Sequence, residues 1–367
     1  MKLTNYQLFW LLFSMESGMT VMLVISPTFR AARQGSPLAA LLAGGAALLA
    51  TFVAAKLSLL YPNDTFVEYV PKIIGRWLGK AIVFAYLLLW IAVTGIVLRE
   101  YGDFVHTALF DKTPLWVILL LMLLVIVYAV DGGIQIVGRC SEVIGPIIVF
   151  NVILFRILSL KDLHADRLLP LMPAEGLMPV LAGISPAASF MCESVMIVML
   201  IAFIGNKRKA VASGLWGVGL AALVLLNTVM DTIMMLGSSV PAKLQYPVYS
   251  LSQYISVMEF VQNLDIFLVV GMSFTVFVKL GLYLFITSYG TAQLFRIKKR
   301  RRLLGIVAAL VLAVALFPRS VDESQVNFPH FWKTVAYPVF LFGIPLLLWT
   351  IGSVRSRMNR ADKPSAS

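Results

Sequence analysis

The sequence is poor in the residues from which soluble active sites are assembled. Of 367 residues, two are cysteine and three are histidine. Cys140 falls in a connection and Cys192 inside an apolar run, so they form neither a disulfide framework nor a zinc cluster. His106, His164 and His330 are scattered through connections and run ends, which suggests no metal site. Charge is scarce too: 13% of residues are charged, against roughly 25% in a soluble domain. That excludes an ordinary globular fold. Nucleotide loops and catalytic triads are missing, and the glycine pairs Gly44-Gly45 and Gly132-Gly133 lie in no GxGxxG pattern. The expectation is a protein that is not an enzyme and has no cofactor and no metal.

What the chain has in abundance is hydrocarbon. It is 60% hydrophobic, with a mean hydropathy of +0.89. Runs of ~20 apolar residues are what a membrane core of ~30 Å demands of a helix, and the chain is mostly made of them. Ten spans are expected: Tyr6 to Phe29, Leu38 to Leu60, Ala81 to Val105, Leu115 to Val130, Ile144 to Leu160, Val180 to Ile204, Ala210 to Leu236, Ile266 to Phe295, Leu304 to Phe317 and Trp332 to Ile351. The start leads into the first span without a cleavage site, which reads as an uncleaved span. The net charge of +12 follows from Lys and Arg gathered in alternate connections, the basic run Lys298 to Arg302 above all. No nucleic-acid partner is needed to explain it. The same asymmetry places both termini in the cytoplasm.

One octapeptide recurs. Glu16-Ser17-Gly18-Met19-Thr20-Val21-Met22-Leu23 shares six of its eight residues with Glu193-Ser194-Val195-Met196-Ile197-Val198-Met199-Leu200. The copies fall in the first and sixth spans, so the repeating unit has five spans, and an odd number inverts the second unit in the membrane. Tyr61-Pro62 with Tyr69 and Tyr246-Pro247 with Tyr254 repeat in the same order. Each opens a stretch too polar to span, read as a short helix at the membrane surface. The expected fold is therefore an all-α polytopic membrane protein in one integral membrane domain. Residues 1–178 and 179–353 form the inverted five-helix repeats, and residues 354–367 form a short cytoplasmic tail.

Ionisable groups at mid-depth are costly, about 2.5–3.5 kcal/mol each on the lenient insertion scale. Glu16, Glu193 and Lys279 lie there, and their shared depth points to one polar cavity. Ser17-Gly18 can break the first span and expose backbone N–H groups. Gly183-Ile184-Ser185-Pro186, with Ala187 and Ser189 beyond it, has that capacity in the sixth span. Broken helices at matching positions of inverted halves point to a substrate site; close helix packing is the competing use of small residues. Thr275, Lys279, Tyr283 and Thr287 form a stripe of helical spacing in the eighth span. Asp231 with Asn227, and Arg99 with Glu100, lie nearer helix ends, where snorkelling or local screening suffices.

The first span and Ser189-Phe190-Met191-Cys192-Glu193-Ser194 resemble the broken helices of the amino acid, polyamine and organocation transporters. A more specific likeness lies between them. Leu98-Arg99-Glu100-Tyr101-Gly102-Asp103-Phe104, Lys112-Thr113-Pro114, Gly133-Ile134-Gln135, Arg139-Cys140-Ser141-Glu142, Leu169-Pro170, Tyr246-Pro247 through Gln253-Tyr254-Ile255 to Glu259-Phe260 and Asp265-Ile266, and Phe277-Val278-Lys279 with Tyr283 resemble the B subunit of bacterial spore germinant receptors. The resemblance covers essentially the whole chain. It implies a protein of the spore inner membrane that binds a small-molecule germinant, usually a small amino acid, with A and C receptor subunits as partners. The transporter resemblance also implies ligand contacts at Ser17, Gly18, Met19, Ser185, Ala187 and Ser189, and Thr287 of the eighth-span stripe is placed to line the same cavity. Glu16, Glu193, Lys279 and Tyr283 would supply electrostatic control. Cys192 stands where the family pattern has a glycine. A proton-coupled transporter would use the same site.

Overall fold

The computed structural model describes residues 2–170, 172–173, 175–254, 264–317 and 330–361. Apolar runs become helices because a backbone removed from water must satisfy its N–H and C=O groups within its own segment. The order is α1 (Asn5–Glu16), α2 (Met19–Ala32), α3 (Ser36–Leu60), α4 (Phe66–Ile74), α5 (Arg76–Ala108), α6 (Leu115–Asp131) and α7 (Ile134–Leu158). Then follow α8 (Leu177–Met191), α9 (Ile197–Leu200), α10 (Lys207–Leu236), α11 (Pro247–Tyr254), α12 (Leu264–Leu294), α13 (Arg300–Leu316) and α14 (Ile344–Ala361). A π-helical stretch, Trp332–Gly343, leads into α14. Among the described residues no β-strand forms, and seven helical stretches are long and apolar enough to cross a membrane. One of these, Met19–Leu60, contains both α2 and α3; α6 is a shorter apolar helix.

Local chemistry sets several boundaries. At the start of α1, Gln7 N donates to Thr4 Oγ1 at 3.0 Å and Thr4 N to Gln7 Oε1 at 3.1 Å, a reciprocal cap on two otherwise orphaned donors. Thr65 and Glu68 cap α4 in the same way. This short helix follows Tyr61-Pro62, as expected, and α11 follows Tyr246-Pro247; Ile255, Glu259 and Phe260 lie outside the described residues. Tyr69 of α4 is buried, with its hydroxyl 3.2 Å from Ser58 Oγ, and burial pushes its phenol up. The expected tail from residue 354 is helical as far as Ala361, because α14 runs on past its apolar part.

α1 packs against α7 and α10, while α2 and α3 pack on α8 and α12 packs on α5 and α7. Small residues make the close approaches possible. A Cβ on Gly217 of α10 would stand 2.4 Å from the Phe9 carbonyl oxygen, and one on Gly145 of α7 would stand 2.1 Å from the Trp10 ring. At one end of the bundle the chain start is sewn in: Leu3 N donates to Phe203 O at 2.7 Å and Gly205 N to Leu3 O at 3.2 Å.

Candidate functional site

The first span breaks where its sequence permits it. α1 stops at Glu16, with Ser17 N donating to Phe13 O at 3.0 Å and Ser17 Oγ to the same carbonyl at 2.8 Å. Gly18 then takes φ +61° and ψ −102°, and α2 starts at Met19. A side chain there would be strained, and a Cβ would fall 1.9 Å from Thr275 Oγ1 on α12. The break thus leaves the first N–H groups of α2 unpaired within the helix, at its positive end.

The sixth span departs from α geometry at a different place from the one its glycine and proline suggest. α8 runs without interruption through Gly183-Ile184-Ser185-Pro186 to Met191, and the chain then tightens into a 3-10 helix over Cys192–Met196. Gly183 serves close packing: its Cβ would meet Ala32 at 2.5 Å and Ala39 at 3.1 Å. Pro186 is accommodated inside the helix, as membrane helices allow. Ser189 Oγ donates to Pro186 O at 2.9 Å, and Ser189 O accepts from Trp332 Nε1 at 2.9 Å. The 3-10 segment is tied to α3 by Thr51 Oγ1 donating to Ser194 Oγ at 2.8 Å.

Between the two irregular segments lies a buried charge centre. Lys279 of α12 reaches across, with Nζ 2.8 Å from Glu193 Oε2, 3.1 Å from Thr20 Oγ1 and 5.9 Å from the centre of the Phe190 ring. Glu16 is completely buried; neither carboxylate oxygen forms a well-aligned hydrogen bond among the described residues, although the Ser194 amide and Lys279 face it. Tyr283 is buried beside Glu193. Glu16, Glu193, Lys279 and Tyr283 therefore come together.

A cavity of about 130 Å³ adjoins this centre, large enough for several waters. It lies among α2, α7, α10, α11 and α12, away from the end closed by Leu3. Of the residues singled out for ligand contact, only Gly18 lines it; Ser17, Met19, Ser185, Ala187, Ser189 and Thr287 do not. Thr287 is buried with its hydroxyl unpartnered among the described residues. The polar lining is Asn151, Asn227, Thr228, Asp231 and Thr275, set among Val21, Met22, Phe155, Met272 and other apolar groups.

Two groups assigned to helix ends prove to be buried. Asp231 is 2% exposed, paired with Arg156 and accepting from Asn227 Nδ2 at 2.9 Å, so it belongs to the cavity wall rather than snorkelling outward. Arg99 pairs with Asp103 one turn on, Nε lying 2.9 and 3.0 Å from the two carboxylate oxygens, and not with Glu100. Glu100 is 2% exposed, and its buried Oε2 meets no hydrogen-bond donor among the described residues. Asn151 and Arg156, polar residues in the apolar fifth span, are the sequence signal for the cavity.

The comparisons agree with this architecture. The chain superposes on a nucleobase-cation-symport-1 transporter, Mhp1, in a closed conformation with bromovinylhydantoin bound, with a TM-score of 0.68, 12% identity, and 98% of this chain and 91% of that one covered. That likeness shows a transporter-like fold. In sequence it is 27% identical over 348 residues to spore germination protein KB of Bacillus subtilis (strain 168), covering 92% of each chain. It is 26% identical over 321 residues to spore germination protein YndE of the same organism, covering 86% of each. A family described as spore germination protein matches residues 2–324. With that match spanning most of its length, the chain belongs to the spore germination protein family, as an integral membrane member with a transporter-like helical fold.

Proposed function

We propose that this protein is the membrane subunit of a nutrient-germinant receptor in the spore inner membrane, binding a small amino acid and acting with A and C subunits to trigger germination. It is not an enzyme in this reading, and uses no cofactor or metal. Ten membrane helices in two inverted sets of five, with both termini cytoplasmic, complete the picture. The observation that carries it is the cavity opening onto the helix break at Gly18, where unpaired N–H groups at the start of α2 suit a carboxylate. The mostly apolar wall, with a few placed amides and hydroxyls, suits a small zwitterion carrying an aliphatic side chain. Ser17 and Met19 hold the break open. Ser185, Ala187, Ser189 and Thr287 shape the moving helices around it, and the charge centre sets their balance.

The second reading, a proton-coupled amino acid transporter, is favoured by the buried Glu193–Lys279 pair, since such groups in membrane interiors mark proton relays. Both readings share one site. The experiment is germinant titration of spores carrying Asn151→Leu, alongside uptake by the purified chain in proteoliposomes. Loss of response with normal protein level supports the cavity, and an unchanged dose response refutes it. Saturable uptake by the chain alone would replace the receptor reading with the transporter.

A further inference from the structure

The buried lysine faces three carboxylates rather than two. Glu100 lies on α5, which packs antiparallel to α12, and two contacts set their register. Tyr101 Oη lies 3.1 Å from Ser273 Oγ, and a Cβ on Gly290 would meet Leu87 Cδ2 at 2.9 Å. This places Lys279 between those levels, somewhat more than a turn from Glu100. Side chains on a helix lean towards its N-terminus. Lys279 therefore leans towards the Ser273 end of α12 and Glu100 leans down α5, so the two converge. Glu100 Oε2 is buried and meets no donor among the described residues.

Glu100 is faced by Lys279 of α12, Glu193 of the 3-10 segment and Asp103 of its own helix. Glu16 is faced by Lys279 and Glu193. Arg99 donates to Asp103 and to the Ala315 carbonyl. Among the described residues one ammonium stands by Glu16, Glu100 and Glu193, and the 2.8 Å contact assigns it to Glu193. If all three carboxyls were ionised, two negative charges would remain uncompensated away from water, a heavier penalty than taking up a proton at neutral pH.

We propose that Glu16 and Glu100 each hold a proton in the resting protein, and that Glu100 is the proton-exchange partner of the Glu193–Lys279 pair. The exchange is balanced. The Glu100 carboxyl gives its proton to the Glu193 carboxylate, and the Lys279 ammonium moves to the Glu100 carboxylate left behind. Net charge and proton number stay the same. What changes is mechanical: the 3-10 segment Cys192–Met196 loses its ion pair to α12 while keeping Tyr283 beside Glu193, and α5 gains an ion pair to α12. This site lies outside the ligand cavity and does not depend on what fills it.

Infrared spectroscopy of the purified full-length protein in detergent tests this directly. At neutral pH the wild type should show a protonated-carboxyl C=O band that shifts in D2O. Glu100→Gln should remove one component and Glu16→Gln another, both variants keeping wild-type thermal stability because an amide replaces a neutral acid. Lys279→Met should strengthen the band, since Glu193 then takes a proton. Absence of the band at neutral pH, a band unchanged in Glu100→Gln, or destabilisation of Glu100→Gln as severe as that of Glu193→Gln would each overturn the proposal.

Discussion

Breaking the Glu193–Lys279 pair offers the sharpest test of the charge centre. At 2.8 Å and an effective dielectric of ~20, the Coulomb attraction is about 6 kcal/mol, much of it offset by desolvating two ions that are almost fully buried. Replacing both partners by neutral groups therefore costs little, whereas removing one leaves the other unpaired, at about 3–5 kcal/mol. Glu193→Gln should fall at the low end of that range, because Glu16 can give up its proton and serve Lys279 instead. Lys279→Met behaves differently, because Glu193 can neutralise itself by binding a proton. With the unfolded carboxyls ionised at pH 7, the variant then has a proton excess of folded over unfolded chain that is one larger than the wild type's. Its stability must fall as pH rises, by about 1.4 kcal/mol per pH unit beyond the wild-type dependence. The assay is equilibrium unfolding in mixed micelles at pH 6, 7 and 8 for both single variants and Glu193→Gln/Lys279→Met. Recovery of ~3 kcal/mol in the double variant is expected. Strictly additive losses, or a Lys279→Met variant with no added pH slope, would refute the reasoning.

Other positions give independent checks. Gly18→Ala places a Cβ against Thr275 and a side chain at φ +61°, and should cost about 1–3 kcal/mol and abolish the germinant response; Thr275→Gly in the same chain should restore part of the stability, which a thermal melt would read. Gly217→Ala forces α10 away from the Phe9 carbonyl and should cost about 1–3 kcal/mol in the same measurement, without altering the half-maximal germinant concentration of whatever protein remains folded. Thr4→Ala removes the cap of α1, for an expected loss of about 0.5–2 kcal/mol. Asp231→Asn leaves Arg156 without its carboxylate at the cavity wall, and should weaken the germinant response more than it lowers protein level on an immunoblot.

The class of molecule and the depth of its charges follow from the order of residues alone. Hydrocarbon run length fixes helices because a bilayer leaves the backbone no alternative, and Glu16, Glu193 and Lys279 stand out because ionisable groups are rare at that depth. The break at Ser17-Gly18 was legible for a local reason: Gly18 is a residue that can adopt the conformation the chain needs there. Where the outcome depended on what lies across the bundle, the sequence was silent. Gly183 and Pro186 carry the same local signal as Gly18, yet α8 stays helical there because Ala32 and Ala39 press against Gly183. Glu100 beside Arg99 reads as a screened pair, but a helix turns neighbours about 100° apart, so Arg99 finds Asp103 while Glu100 is buried apart from it. Asp231 near a helix end reads as snorkelling until Arg156, from another helix, arrives to pair with it. Composition and period decide which segments enter the membrane, but only the packing of helices distant in sequence decides which polar groups meet inside it.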